Sequence, residues 1–388
     1  MIGHLEPRGD FRRAVLATTG RILRSSSEGA SAWHKILVVR PDHLGDLLFL
    51  TPALRALRTA LPTAVIVGLV GPWGRPVLEH NTCLDRLIEW EFPWFDRRSK
   101  RSPLAPYQSL ARLAAALRRE RFDVVINFRA DFWWGALAAR LAGIPVRIGY
   151  STPITTPFLT GAIPLEHGRH AAVENLALVE SVVGKREEAG LEFPLIAADR
   201  ARGTGLLRAN ERGRPIVALQ VGAGAPVKVW PLDRLAKVGR MLGAEYDVAI
   251  VVVGGPSEVE AAHRVRDAVG DRAIALAGVT TLGELGAVLE RCALAIGPDS
   301  GPLHLAVAVG TPTLHLFGPA DSRRFGPYGD PAWHQVVATP RRCAPCNRLD
   351  FAGAEVVAHD CVGDITTEIV LGAARDLLAR SLDRPGGT

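Results

Sequence analysis

Short, almost purely apolar runs alternate with amphipathic stretches through most of this 388-residue chain, and that alternation restricts its fold more than any other feature. The first series reads as strands at Ile36–Val39, Val65–Leu69, Arg86–Trp90, Val124–Phe128 and Arg147–Tyr150. Helices near Pro52–Ala60, Leu110–Arg119 and Trp134–Leu141 lie between them. The second series reads as strands at Ile216–Val221, Val248–Val253, Ala273–Ala277, Leu294–Ile296 and Thr313–Phe317. Helices near Leu232–Leu242, Glu258–Val269, Leu282–Arg291 and Leu303–Val309 separate those. Strands that are apolar on both faces and joined through helices belong to parallel sheets covered on both sides. The expected fold is α/β, with two Rossmann-like doubly wound domains facing each other across a cleft. Ligands of such sheets bind beyond the carboxyl ends of the strands.

The chain is too long for one core, and the charged, weakly patterned stretch Gly184–Arg214 is the natural boundary. This divides it into a leader (1–34), an N-terminal domain (35–195), a C-terminal domain (210–365) and a final helix and tail (366–388). The final helix, Thr366–Leu382, is free to pack back across the cleft. The leader sets Arg12, Arg13, Arg21 and Arg24 among apolar residues, so it reads either as a basic amphipathic helix resting on an anionic bilayer or as a solvated extension. Its arginines break the apolar core that a signal peptide needs. Pro93–Pro106 reads as a basic surface insertion. Lysine and arginine outnumber acids by 46 to 40, a mild excess without the dense basic stripe of a nucleic-acid binder. No apolar run reaches the 18 residues of a membrane span. The expected location is cytoplasmic, with peripheral contact on the inner membrane's cytoplasmic face.

The stretch Gly297–Pro319 holds the strongest local signal. A strand ends in Gly-Pro, and Asp299-Ser300-Gly301-Pro302 leads into a helix through Leu303, His304 and Leu305. Ser300 or Asp299 can cap that helix, and Pro302 is tolerated in its first turn. Gly301 lets the backbone approach a ligand, and the helix N-terminus offers unpaired N–H groups to an anion. The segment reads as a diphosphate cradle. His304 is either part of it or a core histidine. After the strand Ile216–Val221, Gly222-Ala223-Gly224 gives close backbone access, and Lys228 supplies a full charge unless it is merely an exposed loop lysine. The glycine pattern matches neither a dinucleotide fingerprint nor a P-loop. Glu258, just past a strand, either accepts from ribose hydroxyls or serves as a first-turn helix acid.

In the first domain, Gly45 and Asp46 begin a helix directly after a strand. Asp46 is either a general base at the sheet's carboxyl edge or an acid complementing the helix dipole. Pairing it with Asp42 around a metal lacks a third ligand. Arg129 and Asp131 follow the strand Val124–Phe128 and line the same edge as candidates for acceptor binding, with a surface arginine as the alternative. Cys83 and Cys292 read as small buried apolar residues. Cys343-x-x-Cys346, with His359 and Cys361 downstream, reads either as an incomplete zinc site or as incidental thiols. The chain contains no Asp-x-Asp, which favours leaving-group stabilisation by lysine and helix dipoles over a divalent ion.

LGDLLFLTPALRALR (44–58), VGAGAPVKVWPLDRLA (221–236), VVGGPSE (252–258) and GPDSGPLHLAVAVGTPTLHLFGPAD (297–321), in this order, closely resemble the ADP-heptose:lipopolysaccharide heptosyltransferases, glycosyltransferase family 9. The resemblance spans roughly residues 35–365. It implies a two-domain GT-B fold and an inverting, metal-independent transfer with no cofactor. It also implies a nucleotide-sugar donor, ADP-heptose, and a lipid-linked glycan acceptor of the lipopolysaccharide inner core. By resemblance Asp46 is the base, Lys228 contacts the donor phosphate, and Asp299 engages the donor sugar. Ser300, Gly301, Pro302 and Leu303 then form the phosphate turn, with Glu258 as the ribose acid. The donor loop Ala223-Gly224-Ala225-Pro226 departs from the hydroxylated residues that relatives often carry there. Two alternatives stand beside this reading: a transferase for another nucleotide sugar and acceptor, and a non-catalytic nucleotide-sugar-binding protein.

Overall fold

The computed structural model describes residues 33–93, 95, 104–166, 168–184, 189–207 and 213–384. The amphipathic leader reading and most of the Pro93–Pro106 insertion lie outside these residues. The chain divides into two compact units between Ala189 and Gly190.

The first unit holds a six-stranded sheet of β1 (Lys35–Val39), β2 (Val65–Val70), β3 (Arg86–Glu89), β4 (Val124–Asn127), β5 (Val146–Ser151) and β6 (Gly161–Pro164). Its helices include α1 (Leu44–Leu48), α2 (Thr51–Ala60), α3 (Ala105–Glu120), α4 (Trp133–Ala142) and α5 (Ala171–Val183). The second unit holds a six-stranded sheet of β7 (Ile216–Gln220), β8 (Ala249–Val253), β9 (Ala273–Ala275), β10 (Leu294–Pro298), β11 (Thr313–Phe317) and β12 (His334–Ala338). Around it lie α6 (Ala197–Leu206), α7 (Leu232–Tyr246), α8 (Val259–Val269), α9 (Leu282–Glu290), α10 (Gly301–Ala308) and α11 (Thr367–Leu382).

Every strand pairing is parallel. The orders are β3-β2-β1-β4-β5-β6 and β12-β11-β10-β7-β8-β9. Numbered within its own unit, each sheet therefore runs 3-2-1-4-5-6, the nucleotide-binding order whose winding reverses between the first and fourth strands. The reversal places an open crevice beyond β1 and β4 in the first unit, and beyond β7 and β10 in the second.

The central strands β4, β7, β10 and β11 are buried along their whole length. This is why β4, β7 and β10 are near-continuously apolar, whereas β11 sets the buried polar residues Thr313 and His315 between its leucines. Edge strands β6 and β12 escape that pattern because they are half exposed. The helix α6 also departs from the expected linker. Its sequence, AADRARGTGL, has weak helical periodicity, but Gly203 lets it lie so close to α9 that a Cβ there would come within 2.7 Å of Ala287. The final helix does not pack away from its own sheet. Val370, Leu371, Ala374, Leu377 and Leu378 of α11 join the core formed by β7, β8, β10 and β11.

Candidate active site

In the first unit, the chain leaving β1 and the chain leaving β4 meet in a dense charge network. Asp42, only 2% exposed, sits between two guanidinium groups. Arg40 Nε lies 2.7 Å from its carboxylate, and Arg129 Nη1 donates to the other oxygen. Arg129 also grips Asp131 with Nε at 2.6 Å and Nη2 at 3.1 Å, and rests 4.9 Å above the Phe95 ring. Arg129 is thus a bridged residue rather than a free surface arginine. Burial alone would raise the Asp42 carboxyl, but Arg40 and Arg129 outweigh it and hold that group below the usual carboxylate range.

Asp46 occupies the first turn of α1, and its Oδ1 accepts from Arg40 Nη2 at 3.1 Å. Surrounding protein raises its carboxyl above the ordinary value, and the Asp42 charge adds to that rise against the pull of Arg40 and Arg129. The Asp46 side chain keeps 36% of its surface open. Arg40 is fixed from behind by the Phe128 carbonyl and by Asn175 Oδ1 at 3.3 Å. Asn175 in turn donates to the Phe49 carbonyl at 3.0 Å. Two neighbouring carboxylates therefore differ in character: Asp42 is neutralised and rigid, while Asp46 is open and more basic.

In the second unit, the turns after β7 and β10 also meet. Pro226–Lys228 forms one short 3-10 turn, held from two sides. Ala225 and Val227 pack on Phe351, and the buried Trp230 donates Nε1 to the Ile365 carbonyl at 3.0 Å. Lys228 is consequently 9% exposed, which overturns the exposed-loop alternative. Its Nζ lies 2.8 Å from Asp299 Oδ2, while Asp299 Oδ1 faces His304 Nε2 at 3.5 Å. Burial acts to raise the Asp299 carboxyl, yet Lys228 and His304 prevail and hold it well below the usual range.

This ion pair changes the reading of the cradle. Ser300 is the N-cap residue of α10, but its side chain makes no cap hydrogen bond, and Asp299 is turned to Lys228. The expectation that either side chain caps the helix is corrected. Pro302 does sit in the first turn, as expected. The Ser300 Oγ is buried without a hydrogen-bond partner, and so is Gln220 Oε1, whose amide Nε2 donates to the Gly222 carbonyl at 3.0 Å. Orphaned buried polar atoms are rare in folded proteins and here mark donors and acceptors available to a ligand. Gly297 has no room for a side chain, because a Cβ would lie 2.7 Å from Gln220 Cβ.

Glu258 ends the short turn Pro256–Glu258 and is the N-cap residue of α8, so it stands at a helix start, as the first-turn alternative has it. Its Oε2 accepts the Gly255 N–H at 2.6 Å. Its Oε1 fills the space beside Gly222, where an added Cβ would fall 1.5 Å away. Ala223 is half-buried and Gly224 exposed at the tip of the same turn.

Sequence reasoning missed what lies behind the cradle. The His304 ring is 5.3 Å from that of His315, whose Nε2 meets Thr313 Oγ1 at 3.0 Å. Thr313 Oγ1 also meets His334 Nδ1 at 3.0 Å. Desolvation pushes His315 well below its usual value and His334 down to about 4, so both are neutral at pH 7. The only signals in sequence were His315, set inside the strand Thr313–Phe317, and His334, which follows Pro331-Ala332-Trp333. The zinc alternative gains no support: among the described residues no group of three or more His, Cys, Asp or Glu side chains is arranged to hold a metal. His359 instead stacks on Phe351 at 4.0 Å, while Cys361 is buried. Cys83 and Cys292 are buried, as expected.

A family model described as glycosyltransferase family 9 (heptosyltransferase) matches residues 110–351. Lipopolysaccharide heptosyltransferase 3 of Escherichia coli is 28% identical over 300 residues, covering 74% of this chain and 84% of that protein. Lipooligosaccharide heptosyltransferase 2 of Haemophilus influenzae is 24% identical over 364 residues, covering 89% and 99%. Among solved structures, the glycosyl transferase family 9 protein of Veillonella parvula superposes with a TM-score of 0.76 at 25% identity, covering 93% of this chain and all of that one. The E. coli ADP-heptose lps heptosyltransferase II has the same fold, with a TM-score of 0.69 at 21% identity and coverage of 90% and 99%. Two six-stranded parallel α/β units of this kind make the fold GT-B. The chain belongs to glycosyltransferase family 9 and is a glycosyltransferase.

Proposed function

We propose that this enzyme moves a heptose from ADP-heptose to a sugar of the lipopolysaccharide inner core, with inversion at the anomeric carbon and without a metal ion. The observation that carries the donor half is the buried Lys228–Asp299 pair beside the unpartnered Ser300 hydroxyl, at the winding reversal of the second sheet. The names of the matched E. coli and H. influenzae enzymes support the sugar and the acceptor class.

Lys228, the Ser300 hydroxyl and the free N–H groups of α10 supply the donors that a departing nucleoside diphosphate requires. The helix terminus contributes about 0.3–1 kcal/mol, so the lysine is the larger partner. Asp299, 2.8 Å away, holds that lysine in place. Glu258 accepts from the ribose, reaching it with the oxygen that lies beside Gly222. In the first unit, Asp46 takes the proton of the acceptor hydroxyl as that oxygen attacks the anomeric carbon. The bond to the diphosphate breaks as the new glycosidic bond forms. Its raised carboxyl makes Asp46 a stronger base than an exposed aspartate. Arg129 and Asp131 orient the acceptor beside it.

Two variants test these roles. Asp42→Asn removes the like charge that helps raise Asp46, so Asp46 ionises more readily. The acid limb of the kcat/KM–pH profile should move to lower pH, and an unmoved limb would show that Asp46 does not govern it. Gly222→Ala must displace the Glu258 carboxylate. The donor KM should rise about tenfold, the scale of one charge-assisted hydrogen bond, with the melting temperature little changed.

Mass spectrometry of the purified protein against ADP-, GDP- and UDP-sugars, with and without a Kdo–lipid A acceptor, tests the whole reading. Product should form from ADP-heptose only. Product from another nucleotide sugar would reassign the donor, and binding without any product would point to a non-catalytic protein.

A further inference from the structure

We propose that the outward face of α3 is a docking surface for an anionic lipid bilayer. One side of this helix is fixed in the core by Leu110, Leu113, Ala114 and Leu117. The opposite side is open and has an unusual composition. Leu104, just before the helix, is 63% exposed and Tyr107 is 60% exposed. Ala111, Arg112, Ala115, Arg118 and Arg119 continue that face at helical spacing, all exposed. Among the described residues no acidic side chain interrupts it. Glu120, at its end, is turned into ion pairs with Lys35 and Arg86.

The neighbouring helix α4 extends the strip. Arg118 donates to the carbonyl of Leu141, itself 44% exposed. The strip is about 22 Å long at 1.5 Å per residue, with leucine and tyrosine at one end and arginines along the rest. A protein partner held by apolar burial would need a continuous apolar patch, whereas here the apolar side chains are separated by alanine and arginine. Tyrosine at headgroup depth, arginines facing lipid phosphates and no acid among the described residues of the face to repel them match a bilayer surface.

The location gives the face a use. The Pro106 carbonyl accepts from Trp134 Nε1, and Phe95 lies beneath Arg129, so the apolar end of α3 sits at the sheet edge that carries Arg129 and Asp46. A lipid-borne acceptor, the class assigned under the proposed function and the premise here, would then present its sugars to that edge while its acyl chains stay in the bilayer.

The test is sedimentation of the full chain with phosphatidylethanolamine–phosphatidylglycerol vesicles and with phosphatidylcholine vesicles. The variants are L104D/Y107D and R112E/R119E, each checked for an unchanged melting temperature. The wild type should partition onto the anionic vesicles and not onto phosphatidylcholine, and each double variant should lose at least tenfold in partition. Both variants should still transfer to a de-acylated core oligosaccharide at the wild-type rate. Wild-type binding by the variants, or equal wild-type binding to both vesicle types, would overturn the proposal. Binding to single-stranded RNA without vesicle binding would assign the face to nucleic acid instead and overturn it equally. Face-dependent vesicle binding by a wild type that transfers no sugar would leave this surface standing and remove the proposed acceptor.

Discussion

Asp46→Asn is expected to lower turnover by about 10²–10⁴-fold while leaving ADP binding intact, the loss typical of a removed general base. The substitution is nearly isosteric, and an asparagine oxygen can still accept from Arg40 Nη2, which lies 3.1 Å from Oδ1. The surrounding network should therefore survive, since Asp42 remains clasped by Arg40 and Arg129. Only the proton acceptor is lost. Calorimetric ADP binding measured beside single-turnover rates separates the two effects. Near-normal turnover would remove Asp46 from the role of base.

Lys228→Met is expected to be costly in a different way, because it strands Asp299 as a buried carboxylate that is 6% exposed. Removing one partner of a buried ion pair typically costs about 3–5 kcal/mol. Part of that cost should vanish in Lys228→Met/Asp299→Asn, where no uncompensated charge remains. Both proteins should lose about 10²–10³-fold in kcat, the scale of a missing charge stabiliser for the leaving group. Denaturant unfolding and steady-state kinetics on the single and double variants read the two losses separately. A single variant as stable as wild type would mean that the pair is not a structural element of the cradle.

The same long-range pair explains how far the sequence could be read. Central strands such as Val65–Val70 and Ile216–Gln220 were legible because burial on both faces leaves a near-continuous apolar run. The edge strands Gly161–Pro164 and His334–Ala338 were not, since half-exposed residues carry no such signature. Helix Ala197–Leu206 was hidden by its two glycines, one of which exists to admit a neighbouring helix. At the site, Asp46, Lys228 and Asp299 stood out through local motifs and family resemblance. What each of them touches did not. Asp299 looked like a helix cap until Lys228, 71 residues away, captured it. Arg40 passed unnoticed because its anchors, Phe128 and Asn175, lie 88 and 135 residues further on. Motifs report which side chains leave the strand ends, and the winding order decides which of those ends converge.

Convergence at the two winding reversals is also what makes transfer the central claim, and one measurement tests it most directly. The purified enzyme is incubated with ADP-heptose and a Kdo–lipid A acceptor, ADP release is followed, and the acceptor is examined by mass spectrometry and NMR. One heptosyl group should appear on the acceptor for each ADP released, with the anomeric configuration opposite to that of the donor. ADP-heptose bound tightly while the acceptor stays unmodified would contradict the account.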